Sequence, residues 1–89
     1  MSHPQSQMHA AMEEAQRARQ KEREAAEALR AGQHEYETAN LHGREKQITR
    51  ARVALEAAQA AYDSAKRDAQ RLDDKAEEII QAQVKAAYV

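Results

Sequence analysis

The sequence predicts an all-α protein, an antiparallel two-helix coiled-coil hairpin with an alanine-rich seam. Three observations lead to this prediction. Ala, Glu, Lys, Leu and Arg supply 50 of the 89 residues, a composition typical of long helices and coiled coils. Small and apolar residues recur at alternating spacings of three and four, which is the heptad pattern of a helical seam. That pattern changes phase near Gly43, which indicates that the chain reverses direction there.

Composition limits what the chain can bury. Leu, Ile and Val number only 10 in total, and Phe and Trp are absent, so a conventional packed core is excluded. So few aliphatic residues indicate disorder when the net charge is large, but the formal net charge here is -1. Alanine, the best helix former, supplies 21 residues. We therefore expect one ordered, all-helical domain.

The first helix is expected over about residues 6–41, after a flexible N-terminus at residues 1–5. Its seam residues are mostly small: Met8, Ala11, Ala15, Ala18, Glu22, Ala25, Leu29, Gly32, Tyr36 and Ala39. Continued with the same spacing, this seam would miss Ile48 and Ala51, which begin the second seam. A reversal at about residues 42–44 explains the loss of phase better than one continuous rod, in which Gly43 would cost about 1 kcal/mol relative to alanine. In the hairpin, we expect Gly43 to end the first helix in the left-handed conformation.

The second helix is expected over about residues 45–88, so that residues 6–89 form a single helical-hairpin domain. Its seam is longer: Ile48, Ala51, Leu55, Ala58, Tyr62, Ala65, Ala69, Leu72, Ala76, Ile79, Gln83 and Ala86. With the turn between residues 43 and 44, the numbers of facing residues sum to 87. Most layers then set a large side chain against Ala or Gly, as with Leu55 against Gly32, which lets the helices approach closely.

A hairpin with so few large side chains is marginally stable alone, and apolar residues remain off its seam. Ile80, Val84 and Tyr88 form a stripe at spacings of four. In this register most of the stripe lies beyond the start of the first helix. We expect it to be a docking edge for a second copy or another protein; the alternative is a loosely ordered tail. A second candidate protein-binding surface at the turn consists of three cations: Arg44, Arg50 and Arg52.

The charge distribution favours self-association. Residues 44–52 carry four cations and one carboxylate, a balance of +3, whereas residues 73–78 carry four carboxylates and one cation, a balance of -3. Two hairpins packed head to tail would match these charges and form a two-fold symmetric four-helix bundle. The alternative is a solvated surface whose charge clusters have no partner.

Several functions are not expected. The chain has no cysteine, its three serines have no evident triad partners, and a two-helix rod lacks a pocket for a substrate. We therefore expect neither an enzyme nor a bound cofactor or small molecule. His34 and His42 lie two turns apart, without the Glu-x-x-His pattern of di-iron bundles, so we expect no metal. No apolar run is long enough for a membrane span, and the start of the chain does not resemble a signal peptide, so the predicted location is cytoplasmic.

Nucleic-acid binding is kept as an alternative. Arg17, Arg19, Lys21 and Arg23 form a basic stretch of the kind that contacts phosphates. Interleaved glutamates and the nearly neutral net charge argue against it. The layout of a dimerising helical hairpin resembles the Rop family of plasmid RNA-binding proteins, which implies RNA binding, although no sequence motif is shared.

The leading interpretation is a non-enzymatic protein–protein interaction module that acts through its helical faces as a homodimer. Small adaptors, chaperones and phage- or plasmid-type inhibitors of a host protein fit this description. Two alternatives are a Rop-like nucleic-acid-binding hairpin and a receptor-binding or spacer hairpin of a larger toxin.

Overall fold

The computed structural model describes residues 4–88, with side chains from residue 6 onward. Helix α1 spans Pro4–His42 and helix α2 spans Glu45–Ala87. The two helices run antiparallel and form a rod of 67 × 19 × 14 Å. The predicted fold class, an all-α hairpin of two long helices, is confirmed.

The helices begin and end close to the predicted positions. Helix α1 begins at Pro4, two residues before the predicted start, and proline fits there because the first N–H groups of a helix have no intrahelical partner. The predicted flexible N-terminus, residues 1–5, lies mostly outside the described residues. Only residues 43 and 44 separate the two helices.

The residues least exposed to solvent follow the two predicted seams. Every seam residue of α1 is buried or half-buried, and so is every seam residue of α2 except Ala86. Among the described residues, the buried ones are all alanines: Ala11, Ala15, Ala18, Ala69 and Ala76. The alanine-rich seam is therefore present as predicted.

The helices also pair in the predicted register. A Cβ atom placed on Gly32 would lie 3.7 Å from Leu55 Cδ1 and 3.8 Å from Leu55 Cα, at ordinary contact distance, so Gly32 faces Leu55 across the seam. Near the chain termini, Ala11 and Ala15 pack with Ala76 in one cluster. Both sets of contacts agree with facing residue numbers that sum to 87.

The conformation predicted for Gly43 is wrong. Neither described glycine has a positive φ, and the N–H of Gly43 donates to the carbonyl oxygen of Ala39 at 2.6 Å. Gly43 thus continues the last turn of α1 instead of ending it in the left-handed conformation. Glycine is needed at this position for a steric reason, because a Cβ atom on residue 43 would lie 2.5 Å from the carbonyl oxygen of Ala39.

The reversal itself falls on Arg44, which has an extended backbone with φ -83° and ψ 165°. Its N–H donates to Oε1 of Gln47 at 3.0 Å, and its carbonyl oxygen accepts the first helical hydrogen bond of α2, from Ile48 N–H, at 3.0 Å. A glutamine at the third position of a helix commonly accepts a hydrogen bond from the backbone N–H of the residue that precedes the helix. The sequence analysis had not identified this cap.

The two glycines are expected to respond oppositely to substitution. Gly43→Ala should lower the free energy of unfolding by about 1–3 kcal/mol, because the methyl group meets a backbone oxygen that cannot easily move. Gly32→Ala should raise it by about 0.5–1 kcal/mol, because the methyl group fits at ordinary contact distance and alanine favours the helix. Urea unfolding followed by circular dichroism at 222 nm, at one fixed protein concentration, measures both. Equal stability of the two variants would contradict the steric role of Gly43.

Candidate interaction surfaces

The hairpin has a thin core and a large exposed surface. No large side chain among the described residues is buried to below 2% exposure. The chain exposes 7217 Å², whereas a compact monomer of 10.0 kDa would expose about 5,200 Å². The difference, about 2,000 Å², reflects the rod shape and leaves the flanks of both helices open to other molecules.

The predicted docking edge near the C-terminal end of α2 is partly covered. Val84 is 49% exposed and Tyr88 is 89% exposed, but Ile80 is half-buried. Ile80 lines a groove together with Met12 of α1. The apolar stripe is therefore open only at its Val84 and Tyr88 end.

Met12 is a contributor to this surface that the sequence analysis missed. It is 41% exposed and directly follows the seam residue Ala11, as Ile80 directly follows Ile79. Residues one position after a seam residue lie on the same flank of an antiparallel pair of helices. The sequence shows that Met12 and Ile80 each directly follow a seam residue, and this shared position would have predicted that they lie on the same flank.

The groove between Met12 and Ile80 has a volume of about 530 Å³ and lies at the open end of the hairpin, away from the turn. We call it the open-end groove. Its apolar lining consists of Met12, Ala15, Ala76 and Ile80. Asp74 and Glu77 also line it, and each accepts a hydrogen bond from a glutamine one turn away. The groove therefore combines apolar surface with two carboxylates that have no ion-pair partner among the described residues.

Among the described residues, one ion pair joins the two helices, and both of its members, Arg19 and Asp73, also line the open-end groove. Arg19 of α1 donates through its Nη2 to Oδ2 of Asp73 of α2. The Arg19 side chain is 54% exposed and the Asp73 side chain 26% exposed, so water screens much of this interaction. Arg19 and Asp73 each directly follow a seam residue, as Met12 and Ile80 do.

Four cations surround the turn, and we call them the basic tip: Arg44, Lys46, Arg50 and Arg52. All four are exposed, and in residues 4–88 none of them lies within ion-pair distance of a carboxylate. Arg52 lies within α2, whereas Arg44 directly precedes that helix in an extended conformation. Arg52 directly follows the seam residue Ala51, which places it on the flank that carries the open-end groove.

The basic stretch considered for nucleic-acid binding does not form one face. Arg17 and Lys21 line a groove on the opposite flank of the hairpin. Arg19 is paired with Asp73, and Arg23 donates through Nε and Nη2 to Oε1 of Gln20 at 3.3 and 2.8 Å. Arg17 and Arg23 also line a common groove on α1, so the four cations are spread over several faces of the helix.

The two histidines near the turn lie along the last turns of α1. His34 and His42 line a shallow groove with Thr38, whose hydroxyl donates to the carbonyl oxygen of His34 at 2.9 Å. Within the described part of the chain, no three His, Asp or Glu side chains are grouped so that they could hold a metal ion. In that same part, neither helix has a segment apolar enough to cross a membrane.

Comparisons with known proteins identify no relative. No protein-family model matches the chain, and no curated protein or solved structure is significantly similar to it.

The Arg19–Asp73 ion pair should couple the two helices weakly. In a double-mutant cycle with Arg19→Ala and Asp73→Ala, we expect a coupling free energy of about 0.2–1 kcal/mol that falls as salt is added. The cycle for Arg71 and Asp68, an exposed pair 3.7 Å apart within α2, is the matched control and should give a smaller coupling. A salt-independent coupling at Arg19 and Asp73 would contradict the screened geometry.

Proposed function

We propose that the chain is a non-enzymatic protein–protein interaction module that acts as a homodimer. Two hairpins associate side by side into a four-helix bundle, and the outer helical faces of the bundle bind another protein. A cytoplasmic adaptor, a chaperone or an inhibitor of a host protein would act in this way.

The observation that carries this proposal is the thin core. Five buried alanines contribute little apolar area, and burial provides about 25 cal/mol per Å². Larger side chains such as Leu72 and Ile79 remain half-buried on the seam. A second hairpin would cover them, since a stable interface needs about 800 Å² from each partner and this rod exposes about 2,000 Å² more than a compact monomer.

The mass of the purified protein in solution tests the proposal directly. Size-exclusion chromatography with light scattering should give twice the chain mass of 10.0 kDa at micromolar concentrations. Absorbance at 260 and 280 nm on the same peak checks for nucleic acid, because the chain has three tyrosines and no tryptophan. A mass of one chain at all concentrations would contradict the homodimer. A salt-sensitive excess at 260 nm would favour the Rop-like alternative instead.

Charged substitutions at the open end should prevent assembly. Ile80→Asp combined with Val84→Asp should leave most of the helical circular dichroism intact but give a monomer, because two carboxylates cannot be desolvated in an apolar contact. Because Ile80 is half-buried against α1, Val84→Asp alone is the second variant and should also weaken the dimer. Ala60→Asp is the matched control, since Ala60 is exposed and belongs neither to the open-end groove nor to the basic tip. An unchanged mass of both open-end variants would contradict the role of this surface.

A further inference from the structure

We infer that the open-end groove of one hairpin receives Arg44 and Arg52 of the basic tip of a second copy, so that the two copies dock reciprocally, head to tail. The inference rests on the proposed homodimer and assigns its orientation and its contact surface. Each copy then contributes a tip and a groove, and two identical contacts form around one two-fold axis.

The chemistry of the groove fits long cationic side chains. Met12 and Ile80 provide apolar surface, and Asp74 and Glu77 lie beside it. Arginine can lay its aliphatic stem on apolar surface while its guanidinium group reaches a carboxylate. A purely apolar partner would leave the two carboxylates desolvated without a counter-charge.

The basic tip offers the complementary side chains. Arg44 and Arg52 are exposed and, within the described residues, pair with no carboxylate of their own chain. The charge balance of residues 44–52 is +3 and that of residues 73–78 is -3. The two segments are therefore opposite in sign, and within the acidic one Asp73 is already paired with Arg19 of its own chain.

The placement of the two surfaces on the rod permits both contacts at once. A two-fold contact between rods requires the tip and the groove to lie on the same flank, and Arg52, Met12 and Ile80 all directly follow seam residues. Arg52 and Glu77 are separated along α2 by about 38 Å at 1.5 Å per residue, well within the 67 Å rod. Antiparallel side-by-side packing then brings each tip to the groove of the other copy.

A second copy fits these surfaces better than a different partner does. An unrelated basic protein would satisfy the groove but leave the cations of the tip unmatched. A parallel dimer of this chain would place tip against tip and open end against open end, and such like-charge contacts are strongly unfavourable. Reciprocal head-to-tail docking satisfies both ends with one set of residues.

Charge reversal tests the orientation. Arg44→Glu with Arg52→Glu, and separately Asp74→Lys with Glu77→Lys, should each raise the dissociation constant of the dimer about tenfold or more at low salt. The matched control is Lys46→Glu with Arg50→Glu, which makes the same change of charge at the same tip but off the groove flank. It should change the dissociation constant by less than about threefold. Sedimentation measures the constants, and circular dichroism checks that each variant is folded.

A mixing experiment separates the inference from the proposed function. A chain with all four reversals, Arg44→Glu, Arg52→Glu, Asp74→Lys and Glu77→Lys, should dimerise with itself and exclude the wild-type chain, as isotope labelling and native mass spectrometry would show. Mixed dimers in the statistical proportion, or a tip-reversed variant as tight as its control, would overturn head-to-tail docking and leave the homodimer on another face. A wild-type protein that stays monomeric would overturn both.

Discussion

The small side chains of the seam determine how closely the two helices pack and how little apolar area they bury. At Gly32 a methyl group would already be in van der Waals contact with Leu55 of the opposite helix, so this layer has room only for a small residue. Helices this close bury little apolar area, so the helix propensity of alanine must supply much of the order within each helix. The result is a rod with almost no interior, and further stabilisation has to come from its flanks.

The periodicity of the sequence was sufficient to predict the seam and the register. A heptad pattern determines which face of each helix is buried, and the change of phase located the turn at residues 43 and 44. Once the turn is located, an antiparallel pair has few possible registers, and the contact between Gly32 and Leu55 is the one expected. These features depend on the repetition of residue types along the whole chain, so single exceptions such as Glu22 did not disturb them.

Features that depend on local geometry could not be predicted in the same way. A glycine at the end of a helix is compatible both with a left-handed residue and with a position too crowded for a Cβ atom, and only the distance to Ala39 distinguishes them. The cover over Ile80 was missed for a related reason. Flanking residues pair with a different offset from seam residues, so Met12 and Ile80 line one groove although seam pairing alone places residue 7 opposite Ile80.

Alanine-rich packing also leaves a problem of specificity, because one alanine layer packs almost as well as the next. A slip of one heptad along the seam would keep small residues facing each other, so apolar contacts discriminate weakly against it. The Arg19–Asp73 ion pair contributes little free energy in the correct register, but a slipped register would separate its two charges. Between hairpins the same reasoning applies, since flat alanine-rich flanks would allow sliding and reversal. In the proposed dimer, charges of opposite sign at the two ends of the rod would penalise those arrangements and so favour one orientation.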